Sequence, residues 1–251
     1  MNTQMRCLLT VLTGISTSIA VFAVASSARG APGSPPPPAV LGTGAAVSLA
    51  TPPVTAHVLS MDAGAPRARH TANALAAVGF QVVFVAPSAG GLTIADKVLS
   101  NKRAFLDALE RHLQGSPAAW LYLFEDDITA HRGIYLPDVQ ATESRATHFM
   151  YLGICGPRVR AEWPLLKSGG RCGRCAHAMG FSRAGAAAFL AFNRNNTDAY
   201  THGMYLDVMV EAWCLSLGGF PVVHFDRAAP HEPGHRGVFY QDRRKFPTGI
   251  G

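Results

Sequence analysis

Charge is scarce in this chain: acidic and basic residues together make up only 15% of it, against 48% hydrophobic residues. That balance excludes an intrinsically disordered protein, which carries few apolar residues and much net charge. Long basic runs are absent as well. The formal charge of +6 comes from scattered residues such as Arg67, Arg69, Lys102, Arg103, Arg158 and Arg160, with no aromatic-interleaved stripe, so a nucleic-acid surface is not indicated and the excess favours an anionic ligand. The one basic cluster, Asp242-Arg243-Arg244-Lys245, is short enough to be a solvated end. No internal repeat is present, which excludes solenoids and propellers. No Asp-His or His-x-His pairs occur, which argues against a metallohydrolase with several ligands at separate strand ends.

What is present begins with residues 7–25 (CLLTVLTGISTSIAVFAVA), uncharged and preceded by Arg6. As a helix this stretch approaches the thickness of a bilayer core. Two readings stay open: an uncleaved signal-anchor of a type II membrane protein, or a signal peptide cut after Ala23-Val24-Ala25. Either delivers the rest into an oxidising lumen, that of the endoplasmic reticulum or Golgi, with secretion the outcome if the signal is cleaved. Residues 26–53, with Pro35 to Pro38 in a row, favour an extended stem without a core. Residues 54–251 remain, enough for one domain. Cys7 lies in the targeting segment, which leaves Cys155, Cys172, Cys175 and Cys214 for two disulfides in any of three pairings. Cys172-Gly-Arg-Cys175 is also half of a zinc motif, but no second CxxC or His pair stands at finger spacing. Asn195-Asn196-Thr197 is a glycosylation acceptor, in keeping with a lumenal chain.

Hydrophobic periodicity predicts strands over 55–61, 81–86, 118–124, 147–154, 176–181 and 221–225. It predicts helices over 67–78, closed by Gly79, over 101–113, from Ser182 as N-cap to 192, and over 204–217. Strand, helix and strand at this spacing form βαβ units, which implies an α/β fold with a mostly parallel sheet flanked by helices. Residues 156–173 read as a Pro- and Gly-marked loop, and the His-rich stretch beyond 225 reads as an irregular tail.

The strand over 118–124 (AAWLYLF) is apolar enough for burial on both faces and runs directly into Glu125-Asp126-Asp127. Ligands of open α/β sheets gather at the carboxyl ends of strands. Three adjacent acids there repel one another, and partial burial raises the cost. A hard divalent cation such as Mn²⁺ or Mg²⁺ offsets it, because such ions take carboxylate oxygens together with substrate phosphates.

The body resembles glycosyltransferase family 25, a GT-A-type group that includes lipopolysaccharide glycosyltransferases and collagen galactosyltransferases. The pieces that carry the resemblance are Val58-Leu59-Ser60-Met61-Asp62 with Pro66-Arg67-Ala68-Arg69, then Ser100-Asn101-Lys102-Arg103 before Leu123-Phe124-Glu125-Asp126-Asp127. They continue with Ala178-Met179-Gly180-Phe181-Ser182-Arg183-Ala184-Gly185 and Tyr205-Leu206-Asp207, in the family's order from about Val58 to Phe225. Asn101 stands where the family usually has His. The resemblance implies a Rossmann-like nucleotide-binding core and a metal-dependent hexosyltransferase. The donor would be a nucleotide-sugar, a UDP-sugar first among them, and the acceptor a glycan, protein or lipid. It implies that Asp126 and Asp127, with Glu125, hold Mn²⁺ or Mg²⁺ against the donor diphosphate, and that Arg67 and Lys102 add positive charge there. His231 and His235 correspond to the late histidine of several GT-A metal sites. Asp207, with Glu211 one turn later, is the candidate general base. The competing reading is a non-catalytic, lectin-like sugar-binding domain on the same fold.

Overall fold

The computed structural model describes residues 53–86, 93–156, 170–195 and 205–247. The segment at 7–25 read as a targeting sequence, nearly all of the Pro-rich stretch at 26–53, and Asn196 and Thr197 of the expected glycosylation triplet lie outside them. No helix among the described residues is long and apolar enough to cross a membrane.

The chain runs β1 (Thr55–Leu59), α1 (Pro66–Val78), β2 (Gln81–Val85), α2 (Ile94–Gly115), β3 (Trp120–Glu125), β4 (Ile128–Ala130), α3 (Leu136–Glu143), β5 (Phe149–Cys155), β6 (Arg174–Ser182), α4 (Arg183–Asn195), α5 (Leu206–Ser216), β7 (Ala228–Ala229), β8 (Glu232–Gly237) and β9 (Phe239–Gln241). Local chemistry explains the helix ends. Pro66 opens α1, where its missing N–H is no loss, and Gly79 closes it at φ 115°, donating to the carbonyls of Leu75 and Ala76. In α2 a capping box between Thr93 and Asp96 starts the helix seven residues before the expected position. Its far end is closed from a distance: Arg183 donates to the carbonyls of His112, Leu113 and Ser116. Ser182 caps α4 as expected, its hydroxyl accepting from the Gly185 N–H at 3.0 Å.

Seven strands form one sheet in the order β2-β1-β3-β6-β5-β8-β7, with β4 and β9 paired separately. The fold is α/β as expected, but the sheet is mixed rather than mostly parallel. Only β2-β1-β3 pair in parallel; β3-β6, β6-β5, β5-β8 and β8-β7 are antiparallel. The reason lies in the connections. Helices α1 and α2 carry the chain back across the sheet, so β1, β2 and β3 all run the same way, whereas β5 and β6 pair in opposite directions.

Two cores lie on the two faces of the sheet. One gathers Leu59, Leu121, Leu123 and Met179 with Phe105 and Leu109 of α2, Phe189 of α4 and Trp213 of α5. Phe149 is its hub, with ring centroids 4.7 Å from Tyr151 and from Phe181 and 4.9 Å from Phe220. The other packs Val58, Tyr122, Phe124 and Leu152 against Leu75 and Val78 of α1 and Val139 of α3. Alternation along β3, with Leu121 and Leu123 in one core and Tyr122 and Phe124 in the other, is what a strand buried on both faces requires.

The four cysteines beyond Cys7 pair as Cys155–Cys175 and Cys172–Cys214. The two cysteines of the CxxC motif therefore enter different disulfides, and the half-zinc reading falls. Residues 221–225 do not form the expected closing strand. Val222 makes only an isolated parallel bridge to Tyr151, because the backbone turns at His224, φ 50°. The stretch expected to be an irregular tail instead supplies β7, β8 and β9.

Candidate functional site

Parallel pairing sets Leu59 beside Glu125, so β1 and β3 deliver their carboxyl ends side by side. From β1 comes Ser60, whose buried hydroxyl donates to Asp126 Oδ2 at 2.6 Å. From the first turn of α1 comes Arg67, whose Nη2 lies 3.0 Å from Asp126 Oδ1. Each oxygen of Asp126, which is 6% exposed, thus has its own donor.

Asp127 and Glu125 are held from the opposite end of the sequence. The Gln241 side-chain amide, on β9, donates to Glu125 Oε2 at 2.9 Å and lies 3.2 Å from both Asp127 oxygens. Burial pushes the Glu125 carboxyl up to about 8; the negative charges of Asp127, Asp207 and Asp126 add to this and Arg67 opposes it. Asp127 is also raised, by burial first, with Gln241 working against the shift. Four carboxylates therefore share one field with a single described arginine. Asp207, in the first turn of α5, belongs to this group through its action on Glu125.

The remaining expected residues sit elsewhere. Glu211 is 8% exposed and pairs with Arg174 at 3.2 Å. Lys102 is 1% exposed inside the α2 layer, where burial lowers its ammonium. His231 is exposed in the turn before β8 at φ 69°. His235 is buried on β8 and stacks on His177 at 5.8 Å between centroids. Among the described residues no contact joins either histidine to the acidic group. The one described trio of His, Cys, Asp or Glu with donor atoms all within 4.8 Å of one another is Cys155, Cys175 and His235. Its sulfurs are joined in a disulfide, which removes the thiolates a metal needs.

The oxygen donors at the β3 end suit a hard cation. The observation that tests the fit is Gln241: a polarised N–H₂ group rests between both oxygens of Asp127 and one of Glu125, where positive charge is best placed. Sequence reasoning missed Gln241 altogether and quoted Ser60 without assigning it a role.

No protein-family model matches the sequence, and no curated protein matches it. Among solved structures the chain is similar to "Crystal Structure of A197 from STIV", with 13% identity over 55% of this chain and 67% of that chain and a TM-score of 0.35.

Proposed function

We propose that the chain is a metal-dependent glycosyltransferase with a GT-A-type core, transferring a hexose from a nucleotide-sugar, with UDP-sugars the first choice, to a glycan, protein or lipid acceptor in the secretory pathway. The observation that carries this reading is the concentration of Glu125, Asp126, Asp127 and Asp207 around the carboxyl end of a parallel strand, with Glu125 pushed up to about 8 by burial first and by the neighbouring carboxylates after it. A site so rich in partly desolvated carboxylate favours added positive charge.

In this reading Asp127 and Glu125 hold Mn²⁺ or Mg²⁺, with Asp126 in support. A divalent ion there supplies Lewis-acid stabilisation of the departing nucleoside diphosphate. Ser60 and Arg67 fix the rotamer of Asp126, so that its carboxylate is set before any donor arrives. Arg67 is 39% exposed along its side chain, which leaves its guanidinium accessible to a donor diphosphate, an anion it suits well. Asp207 acts on the same field from α5 and in this reading would take the proton of an acceptor hydroxyl if the reaction inverts. Glu211, tied to Arg174, orients the same helix.

Isothermal titration with UDP, with and without Mn²⁺, tests this reading. Metal-dependent UDP binding that Asp127→Asn abolishes is the expected result. Mn²⁺-independent binding of free sugar without UDP binding would point to the lectin-like alternative, and binding of neither to a non-transferase role.

A further inference from the structure

A cavity of about 480 Å³ opens on the α2 side of the sheet, away from the acidic group, with which it shares no lining residue. Its walls include Val83 and Val85 of the edge strand β2 and Leu121 of β3, and its polar lining includes His57, Arg111 and His112. The volume falls in the range of small-molecule sites, which combine apolar walls with a few convergent polar groups.

Two observations say what such a ligand must carry. First, His57 Nδ1 and His112 Nε2 are both buried and lack a hydrogen-bond partner among the described residues. Buried polar atoms are normally satisfied, and an exception beside a cavity asks for an explanation. Second, the charges acting on these rings are positive. Arg111 acts on His57, and Arg183 with His57 acts on His112; burial is the leading cause for His112 and His57 alike, and no carboxylate is among the causes. Arg183 also occupies the carbonyls of His112, Leu113 and Ser116, cancelling the negative end of the α2 dipole that would otherwise repel an anion. Arg111 is exposed at the rim, its Nε donating to the Asp107 carbonyl of its own helix, and no described residue takes a hydrogen bond from its two Nη groups.

We propose that this cavity is a binding site for a small organic anion with an apolar body, the anionic group directed to Arg111 and the histidine edges and the body against Val83, Val85 and Leu121. The site is independent of the transferase reading, since it rests on other residues on another part of the sheet.

The test uses the full-length chain and two probes of nearly equal shape: benzoate, and the neutral benzamide. The imidazole signals of His57 and His112 are followed by NMR during titration. Benzoate is expected to shift both rings saturably, with benzamide at least about ten-fold weaker, the difference one charged contact makes. Arg111→Glu, a rim substitution that leaves the core packing in place, is expected to weaken benzoate by about ten-fold or more with no change in melting temperature. His112→Gln is a second variant, expected to weaken binding while keeping a polar side chain in the wall. The proposal is overturned if benzoate does not saturate, if benzamide binds equally well, or if Arg111→Glu binds benzoate as the unaltered chain does.

Discussion

The amide nitrogen of Gln241 is equidistant, at 3.2 Å, from the two carboxylate oxygens of Asp127. That is the position on the bisector of a carboxylate that a chelated cation takes, with Glu125 Oε2 at 2.9 Å as a third neighbour. The amide acts as a neutral stand-in for positive charge, and it does so from a strand paired only with β4.

Replacing Gln241 by Leu keeps the volume and removes the donor. The buried Asp127 and the half-buried Glu125 are then left without this partner, so stability is expected to drop by about 1–3 kcal/mol, measured by urea unfolding in chelator. Under the transferase reading a bound Mn²⁺ takes the place of the amide, so the same variant binds Mn²⁺ more tightly than the unaltered chain. Weaker Mn²⁺ binding in Gln241→Leu would mean that the amide orients the carboxylates for the ion and does not compete with it.

The disulfides are expected to matter in proportion to the chain they close. Cys172–Cys214 spans 42 residues and Cys155–Cys175 spans 20. Loop-closure entropy assigns about 4 kcal/mol to the first and about 3 kcal/mol to the second. Paired Cys→Ala variants compared by denaturant unfolding check the order, and a larger loss from the shorter loop would contradict it.

Three groups set opposing arms of the pH profile. Burial lowers His112 to about 4 and His177 to about 3. Below pH 6.5 the unfolded chain takes up protons that these rings refuse, so they cost stability as pH falls from 6.5 toward 4 and 3. Glu125, raised to about 8 from 4.5, works the other way: the folded chain holds its proton first, which adds stability as pH falls from 8 to 4.5. Two rings outweigh one carboxyl, so the melting temperature is expected to rise as pH falls from 8 to 6.5, to decline from 6.5 to 4.5, and to decline more steeply just below 4.5. In Glu125→Gln the compensating arm is gone, so the rise between pH 8 and 6.5 is expected to vanish and the decline from 6.5 to 4.5 to be about twice as steep; an unchanged profile would place Glu125 outside this balance.

The first half of the domain was legible because its signals are local. Apolar runs and the glycine after Val78 gave β1, α1, β2 and β3, and the burial of β3 on both faces could be read from its composition alone. That placed Glu125, Asp126 and Asp127 at a strand end. The second half was less legible because strand direction depends on the connection: nothing within 147–154 or 176–181 states that β5 and β6 run antiparallel. The three-residue strands β4 and β9 are too short to show a period. Gln241 was beyond reach for another reason. A lone glutamine in a polar stretch carries no pattern, and its role comes entirely from a contact 114 residues away in sequence. The disulfide pairing was likewise undetermined until the fold brought Cys172 to α5.

The sequence separation between Gln241 and Glu125 has a consequence for biogenesis. Residue 241 is added 116 residues after Glu125, which at cellular translation rates is roughly ten seconds later. Through that interval the nascent β1-α1-β2-α2-β3 unit can already pair its parallel strands and seat Asp126 on Ser60 and Arg67, while Asp127 and Glu125 still await their amide. A ribosome stalled before residue 241 would display an assembled strand end with an uncapped carboxylate pair, so β9, the latest of the described strands to be made, completes the charge balance of the first.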